Sequence, residues 1–490
     1  MRTSGSIGSL SPKALGEYGV PLAGYALPTA MPAEFAAAWS VGEYVPEARV
    51  TYPARGLPVA SLDKSPAEIF DLFSTARSAP ANTYYVSPTG SDGAGNGTQG
   101  NPWRSMFKAV IAANASGQPA KVFVAAGDYG IFYNQAAQAN YPTVDMAFIA
   151  TGGRVVTGTW ADFAAPTLDA TYTNTYSFAY ANCTRVIDLA NVDRDGFHPD
   201  LKHVDSPAIC NRMPGSWHQD GANIWINRAD GAAVTAQNTR VLRSGVASWQ
   251  VKNPVSIYLG GQDPTCGFDN QGAFSTGGGL HYQPTTLPAS RKAVVVENCT
   301  FRYGGGVLAP LHTGNGISVH DLHGLALFSN CDSSNNTADG FNCNQASVAN
   351  AKGHMITVNC RSVKLGLSTG QTTVAQSANA YTLHSDVLGI DLAGDYERGA
   401  GGTVRNIHSS LMWAAGSRFG HDNGDRMNGG AVKPTAVMIN DTAQAWLDRC
   451  EIDAGPGVLG FYTDAGSAIR TRGMGPNRVN DVANGTVEAW

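Results

Sequence analysis

The sequence predicts an all-β solenoid in which short strands stack as successive coils. A short pattern, an apolar stretch followed by Asn and Cys, recurs at Val294–Cys299, Ala326–Cys331 and Met355–Cys360. Glycine is abundant, with 57 of 490 residues, and charged residues make up only 14%, where about 25% is usual. Short strands at a recurring spacing are typical of solenoid proteins.

The repeat explains its own residue types. In stacked coils, equivalent positions lie above one another, so Cys299, Cys331 and Cys360 are expected to form an inward ladder of small apolar side chains. An Asn at the bend can bond both its own backbone and the Asn above, because its amide donates and accepts. Weaker copies end at Cys450 and Cys183. With no CxxC pair and no Cys/His metal spacing, the eight cysteines are predicted to be buried thiols.

Composition excludes several classes of protein. A hydrophobic fraction of 43% argues against disorder, and glycine does not recur at every third residue as collagen requires. The net charge of −5 offers no basic face for nucleic acid. No apolar run approaches the ~18 residues of a membrane span. These features are compatible with a neutral or modestly charged partner such as a glycan.

The first residues lack the compact apolar stretch of a secretory signal. Met1 is followed by one Arg and then Thr-Ser-Gly-Ser, and the stretch Val20–Met31 carries two prolines. We therefore expect a soluble protein that stays inside the cell or leaves by lysis or another route. A signal that has been trimmed is the alternative.

Residues 1–81 form a distinct Pro-rich region with nine prolines. Fixed φ angles and missing N–H groups favour extended, irregular backbone there. Helices are predicted at Glu34–Trp39 and at Pro66–Ala76, where Ser65 can cap and Pro66 suits the first helical position. Two interpretations stand side by side: an anchor that docks onto another protein, or a leader or extra layer that belongs to this chain alone.

The next segment, residues 82–130, predicts a strand, a helix and a second strand. Thr83–Val86 and Lys121–Val124 are rich in β-branched and aromatic residues. Between them, Trp103–Asn114 carries apolar residues at helical spacing. This order, with "VFVAAGDYG" at its end, resembles the start of right-handed parallel β-helix proteins, a superfamily that includes pectate-lyase-like enzymes and phage tailspikes.

The resemblance implies a right-handed single-stranded parallel β-helix with an N-terminal capping helix. The helix is expected to plug the open end of the stack, where apolar interior and strand edges would otherwise be exposed. The predicted body covers residues 82–475, with irregular early coils and lateral excursions at 131–290 and regular coils at 291–475. Residues 476–490 are expected to close the stack, and the tract Gly260–Gly279 is expected to be a surface loop.

Three polar stretches of the predicted coils are candidates for chemistry: Asn330–Asn344, Ser377–Asp395 and Phe419–Asn428. Glycoside hydrolysis needs two carboxyl groups, and a lyase needs a base and a cation beside an acidic sugar. The candidate catalytic residues are Glu297, Asp332, Asp339, His384, Asp386 and Asp391. The candidate substrate-binding residues are Arg361, Arg398, Trp413, His421 and Arg426, with Lys364 as a further cation.

Each of these residues also has a structural interpretation, because Asp and Asn at coil corners usually cap turns. The complete motifs of polygalacturonases and pectate lyases are missing, so the resemblance transfers no catalytic residue. No cofactor is predicted. Calcium stays open at the loops Ser91–Asn96 and Asp422–Asp425, whose spacing does not match an EF-hand.

The resemblance favours a phage tailspike or tail fibre protein that binds, and in one version depolymerises, a bacterial surface polysaccharide. Its expected partners are virion tail or baseplate proteins, through residues 1–81, and two further copies in a homotrimer, with no nucleic acid and no membrane insertion. The expected location is the virion, with an extracellular protein as the alternative. Two other functions remain open: an exported bacterial polysaccharide lyase or glycoside hydrolase, and a non-catalytic virion protein or adhesin.

Overall fold

A computed structural model describes most of the chain. The described residues are 25–39, 44–53, 56–131, 141–160, 163, 166–244, 249–272, 278–306, 314–345, 348, 351–366, 378–399, 402–420, 435–453, 458–474, 482–483 and 485–490. Among them, no helix is both long and apolar enough to cross a membrane.

The N-terminal layer is a three-stranded antiparallel sheet with two short helices. Its elements are β1 (Tyr25–Thr29), α1 (Ala33–Ala38), β2 (Ala48–Tyr52), β3 (Val59–Leu62) and α2 (Pro66–Asp71). Helix α2 begins as predicted, because the Ser65 hydroxyl accepts from the Glu68 backbone N–H while the Glu68 side chain accepts from the Ser65 N–H. It ends at Asp71, before the predicted Ala76.

The capping segment has the predicted order of elements. It contains β4 (Asn82–Val86), α3 (Met106–Ser116), β5 (Ala120–Ile131) and β6 (Met146–Gly158). Helix α3 buries Met106, Ala109, Val110 and Ala113 in the interior core of the coils, which confirms the predicted plug. Strand β5 is longer than predicted, since it continues to Ile131 through two register shifts.

A lateral subdomain, residues 166–243, branches from the coils. Its elements are β7 (Thr167–Leu168), β8 (Tyr176–Ala179), β9 (Cys183–Asp188), β10 (Lys202–His203), α4 (Pro207–Arg212), β11 (Ser216–Asp220), β12 (Asn223–Asn227) and β13 (Thr239–Arg243). Five strands form one mostly antiparallel sheet, and β9 pairs with β13. Trp217 and Ile224 lie in its separate core. Cys183 belongs to this subdomain, so it is not a copy of the coil repeat.

The remaining strands build the body. They are β14 (Trp249–Val251), β15 (Ile257–Gly261), β16 (Gly267–Gln271), β17 (Gly278–Tyr282), β18 (Lys292–Glu297), β19 (Thr300–Arg302), β20 (Asn315–His320), β21 (Gly324–Ser329), β22 (Phe341–Asn344), β23 (Gly353–Val358), β24 (Arg361–Val363), β25 (Asn379–His384), β26 (Leu388–Leu392), β27 (Asp395–Glu397), β28 (Gly402–Asn406), β29 (Leu411–Ala415), β30 (Arg418–Gly420), β31 (Thr435–Ile439), β32 (Gln444–Asp448), β33 (Glu451–Asp453), β34 (Leu459–Thr463), β35 (Ala468–Arg472), β36 (Val482–Ala483) and β37 (Thr486–Ala489).

The coils contribute strands to three parallel faces, so the chain winds as a right-handed single-stranded parallel β-helix. The first face contains β15, β18, β21, β23, β26, β29, β32, β35 and β37. The second contains β16, β19, β24, β27, β30 and β33. The third contains β14, β17, β20, β22, β25, β28, β31, β34 and β36. Three-faced coils already include residues 249–282, and the predicted surface loop at Gly260–Gly279 holds strand β16 and the start of β17.

The cysteine ladder is confirmed by the strand register. On one side of the turn, Glu297, Ser329 and Val358 pair in neighbouring strands, and on the other side Thr300, Asp332 and Arg361 do so. Cys299, Cys331 and Cys360 therefore stack in the interior. All eight cysteines are free and buried, and burial raises the pKa of the Cys299 and Cys331 thiols.

The turn from the first face to the second requires a left-handed residue in every regular coil. Asn298, Asn330 and Asn359 supply it with φ of 54°, 51° and 51°, a conformation that Asn tolerates better than most residues. The Asn359 Nδ2 donates to the Asn330 Oδ1 at 3.3 Å. This bond is the amide ladder that the repeat predicts.

Candidate functional site

The outward side of the third face is polar along most of its length. In β17, Leu280 and Tyr282 belong to the interior core, so His281 between them points outward. The same alternation places Ser318 outward in β20 and Asn342 outward in β22. Polar side chains therefore recur at one position of successive coils.

The strand register aligns these side chains in two rows. The first row is Gln250, His281, Ser318, Asn342, Thr382, Arg405, Met438 and Tyr462. The second is His320, Asn344 and His384. We call His281, Ser318, His320, Asn342, Asn344, Thr382, His384 and Arg405 the polar strip. Strands lie about 4.8 Å apart, so the full first row spans roughly 34 Å.

The polar strip contains buried polar atoms without a hydrogen-bond partner. They are the His281 Nδ1, the Asn342 Oδ1, the Asn344 Oδ1 and the Thr382 Oγ1. In the same row, the Gln250 Nε2 is also unpartnered. Each such atom costs about 1–3 kcal/mol, and buried polar groups in native proteins normally have a partner. The strip is therefore suited to ordered water molecules or to a ligand with many hydroxyl groups.

Three histidines of the strip are held in the neutral form. Burial lowers the pKa of His281 to about 3, with a smaller contribution from His320. Burial also lowers the pKa of His320 and of His384. The His281 and His320 rings lie 5.7 Å apart, and the His320 Nε2 is 2.7 Å from the Ser318 Oγ. A neutral imidazole can accept a proton, which a catalytic base must do.

His384 lies between a carboxylate and a guanidinium. The charge of Asp339 raises its pKa and that of Arg405 lowers it, but burial is the largest influence. Asp339 accepts from the Asn342 Nδ2 at 2.6 Å and from the Asn379 N at 2.8 Å. The Arg405 Nε donates to the Asn440 Oδ1 at 3.1 Å. A base, a fixed carboxylate and a partly exposed cation thus meet at one end of the strip.

Two of the predicted site residues belong to this neighbourhood, His384 within the strip and Asp339 beneath it. The predicted Asp386 lies at the corner between the third and first faces, where it accepts from the Ser409 hydroxyl. His421 and Arg426 lie outside the described residues.

Three others, Asp332, Arg361 and Arg398, lie on the second face. Asp332 accepts from Arg302 at 2.6 Å in a row of alternating charges. Arg361 lies over the Phe197 ring of the lateral subdomain at 5.4 Å, and Arg398 pairs with Asp195 of that subdomain at 3.2 Å. Arg361 and Arg398 thus attach the lateral subdomain to the coils. The predicted lyase cation Lys364 has the same role, pairing with Asp195 at 3.0 Å.

Glu297 and Trp413 point outward from the first face, under the N-terminal layer. Glu297 accepts from the Tyr258 hydroxyl, and burial raises its pKa. Trp413 is 0% exposed and packs 6.4 Å from Phe35. The position of Trp413 does not fit the predicted stacking on a sugar, because the chain itself covers the indole.

Asp391 points into the coil interior. Its carboxylate accepts from the Thr357 Oγ1 at 2.6 Å, the Tyr396 hydroxyl at 2.7 Å and the Ser417 Oγ. Burial raises its pKa. A fully enclosed carboxylate with three donors has a structural function, so the predicted catalytic role does not fit this position.

Most residues of the polar strip were not predicted from the sequence. Four of its residues lie in short strands whose apolar and polar residues alternate as in many other strands: Ser318, His320, Thr382 and Arg405. Asn344 ends the stretch Asn330–Asn344, in which only the carboxylates were predicted to be functional. The available signal was the polar residue flanked by two apolar ones in successive strands. Without the register, nothing in the sequence told outward residues of one face from those of another.

The calcium loops give no metal site among the described residues. The Asp92 Oδ1 accepts the backbone N–H groups of Arg104 and Ser105, both at 2.9 Å, as a turn cap does. No group of three or more His, Cys, Asp or Glu side chains arranged for a metal occurs in the described part of the chain. The second loop, Asp422–Asp425, lies outside it.

Known structures resemble the chain at the level of fold. No protein-family model and no curated protein matches the sequence. XylC in complex with xylose has 10% identity over 81% of this chain and 70% of its own, with a TM-score of 0.42. A protein described as a glycoside hydrolase has 10% identity over 84% of this chain and 96% of its own, with a TM-score of 0.39. Pectate lyase Pel9A has 13% identity over 80% of this chain and 81% of its own, with a TM-score of 0.35.

All three TM-scores lie below 0.5, and the fold assignment rests on the strand register. By its three stacked faces of parallel strands and its capping helix, the chain is a right-handed parallel β-helix protein.

Proposed function

We propose that the protein binds a polysaccharide along the polar strip of the third face. The observation that carries the proposal is the register-aligned row of buried polar atoms without partners. Amide, hydroxyl and imidazole groups suit a ligand whose hydroxyls both donate and accept. The unpartnered atoms of the first row lie between Gln250 and Thr382, over four strand spacings or roughly 19 Å, a length that suits a chain molecule better than a single small one.

A glycan array that holds bacterial surface polysaccharides and plant pectins tests the binding. The variants Asn344→Ala and His320→Ala remove polar groups from the partly exposed row, and each should weaken binding to the recognised glycan at least ten-fold, or about 1.4 kcal/mol. Asn223→Ala, an exposed position of the lateral subdomain, is the matched control. Absence of any bound glycan, or equal losses in all three variants, contradicts the proposal.

If the glycan is cleaved, β-elimination fits the strip better than hydrolysis. Neutral His384 would take the proton beside the carboxylate of an acidic sugar, and Arg405 would stabilise the negative charge that develops there. The C–H electrons then form a carbon–carbon double bond as the glycosidic oxygen leaves. Hydrolysis needs two carboxyl groups, and the carboxylates beside the described strip are already engaged. Asp339 accepts from Asn342 and Asn379. Asp321, close to His320, accepts from the Val348 N–H.

The products separate these chemistries. Elimination leaves an unsaturated sugar that absorbs ultraviolet light, and hydrolysis leaves only new reducing ends. We expect His384→Gln to abolish the ultraviolet signal while glycan binding persists, and Asp386→Asn to leave it unchanged. New reducing ends without absorbance would contradict elimination, and an unchanged polymer size would leave a binding protein.

The biological setting that we propose is a homotrimeric phage tailspike with polysaccharide recognition on its third face. What supports it is the stack of coils with a row of outward polar side chains on the third face, while the N-terminal layer covers the first face and the lateral subdomain packs on the second. Because residues from Met31 to Ala76 pack against the first face, attachment to virion proteins is tested by removal of residues 1–24 alone. A monomer in light scattering at micromolar concentration would instead favour an exported polysaccharide lyase or hydrolase.

A further inference from the structure

A cleft apart from the polar strip lies where the lateral subdomain meets the capping segment. Arg104, Asp128 and Tyr129 of the capping segment line it, together with Trp160, Gln237 and Arg240. Its volume is about 570 Å³, within the range of about 300–1,000 Å³ typical of ligand sites. None of its lining residues belongs to the polar strip.

One wall of the cleft is rigid. The Arg240 guanidinium lies 3.9 Å from the Trp160 ring centroid and donates to Asp128 at 2.8 Å and to the Gln271 Oε1 at 2.7 Å. Trp160 is closely packed, because a Cβ on Gly158 would come within 2.4 Å of its ring. Arg240 is thus engaged by the protein and holds the aromatic wall in place.

Arg104 differs from Arg240 in its hydrogen bonding. Its guanidinium lies 5.5 Å from the Tyr129 ring centroid, and its side chain makes one long hydrogen bond, 3.5 Å, to the Asp128 carbonyl. A guanidinium has five N–H donors in a planar fork that matches a carboxylate. Arg104 therefore offers spare donors to a planar anion at the cleft.

The Asp128 side chain is 60% exposed, and Gln237 lines the same cleft. Together they can accept from and donate to hydroxyl groups. The Tyr129 ring supplies apolar surface on which a sugar ring can pack, while Trp160, 7% exposed and covered by Arg240, backs this wall. The cleft thus combines a planar anion site, hydroxyl partners and an aromatic wall within a volume suited to one or two sugar units.

We propose that this cleft binds an acidic sugar residue through its carboxylate, with Arg104 as the recognition group. The site is separate from the polar strip and does not depend on the chemistry proposed there. A polysaccharide that contains uronic acid would then be held at two places on one molecule.

Titration calorimetry of the full-length chain with D-glucuronate, and with D-glucose as the neutral partner, tests the proposal. Glucuronate should bind and glucose should bind at least about ten-fold more weakly, since a charge-assisted bidentate contact is lost. Arg104→Gln should weaken glucuronate binding by a similar factor. Arg104→Lys, which keeps the charge without the fork, should give an intermediate loss. Arg194→Gln, a side chain 88% exposed, should have no effect.

Three results would overturn the proposal: no heat with glucuronate, equal affinity for glucose, or glucuronate binding that Arg104→Gln leaves intact. Asn344→Ala, which removes a binding group of the polar strip, separates the two sites. If it abolishes glucuronate binding while Arg104→Gln does not, the acid binds the polar strip, and the cleft proposal fails while the proposed function stands. Circular dichroism of each variant checks that the strands are retained.

Discussion

The first and third faces have the same strand geometry and opposite outward surfaces. On the first face most outward residues are apolar, and Ile356, Ile390 and Trp413 pack in one cluster with Phe35 and Trp39 of the N-terminal layer. On the third face the outward residues are amides, hydroxyls and imidazoles, several with unpartnered atoms. The coil therefore fixes where side chains point, and residue type decides whether the outward surface of a face is apolar or polar.

The two faces also differ in what they contribute to folding. Covering apolar surface stabilises by roughly 25 cal/mol per Å², whereas each buried unpartnered polar atom costs about 1–3 kcal/mol. The third face is thus a local departure from the rules that the rest of the fold obeys, as functional sites often are. The stability of the covered first face offsets this cost.

The largest effect on stability should come from removing the side chain at the centre of the contact between the N-terminal layer and the first face. Phe35 is 0% exposed, and its ring lies 6.0 Å from Trp39, 6.4 Å from Trp413 and 6.0 Å from Trp446. Phe35→Ala should lower the free energy of unfolding by about 3–5 kcal/mol, because it loses burial and leaves a cavity. Urea denaturation followed by tryptophan fluorescence measures it.

Val59→Ala is the control for this variant, since Val59 is 56% exposed in the same layer and should change stability by less than about 0.5 kcal/mol. Equal effects of the two variants would mean that the layer is only loosely held. The first face would then be as open as the third, and the comparison would fail.

The fold could be predicted because its signals are local. The Asn-Cys repeat at residues 298, 330 and 359 reports the turn between two faces, and the Trp103–Asn114 region carries a helical apolar stripe. Residues 166–243 gave no such signal. Their antiparallel strands pair within a separate core around Trp217, and short aromatic strands look alike in both arrangements.

The site was much less accessible to sequence reasoning. Carboxylates attracted attention, but Asp391 is enclosed in the interior and Asp332 lies on the charged second face. Which face a residue occupies depends on the number of residues in each turn of every coil. Insertions between coils change that number, so the alignment of Asn342 with Thr382 follows from the register alone.

The dependence of stability on acid pH should show whether water is excluded from His281 of the polar strip as fully as from His354 of the covered first face. Both faces bury a neutral histidine: burial lowers the pKa of His281 to about 3 and of His354, beside Trp39, to about 4. Between the unfolded value near 6.5 and these values, the unfolded chain binds the proton and the folded chain does not. Stability is therefore complete above pH 6.5 and falls as the pH drops below it.

Between pH 6.5 and pH 5 each histidine should cost about 2 kcal/mol. His281→Gln and His354→Gln should each remove that share from the difference in unfolding free energy between pH 7 and pH 5. A loss of pH dependence for His354→Gln alone would mean that water enters the third face and returns the pKa of His281 towards its ordinary value. Equal losses of pH dependence in the two variants would show that water is excluded from His281 as fully as from His354.

The smallest effect on stability should come from a hydroxyl of the third face. Thr382 is 0% exposed, and its Oγ1 has no partner. Thr382→Val removes a buried polar group that makes no hydrogen bond, so the free energy of unfolding should change by less than about 0.5 kcal/mol or rise. Thr357, an interior position of the first face, is the reference for a buried hydroxyl that has a partner, because its Oγ1 donates to the buried Asp391 at 2.6 Å.

Thr357→Val should cost about 1.5–3 kcal/mol, as loss of a hydrogen bond to a carboxylate does. Chemical denaturation of the two variants side by side measures the difference with the same change of side chain. If Thr382→Val costs as much as Thr357→Val, the Thr382 hydroxyl has a partner in the free protein, and the third face is satisfied without a ligand. If only Thr357→Val is destabilising, the polar atoms of the strip contribute nothing to folding and are available for recognition.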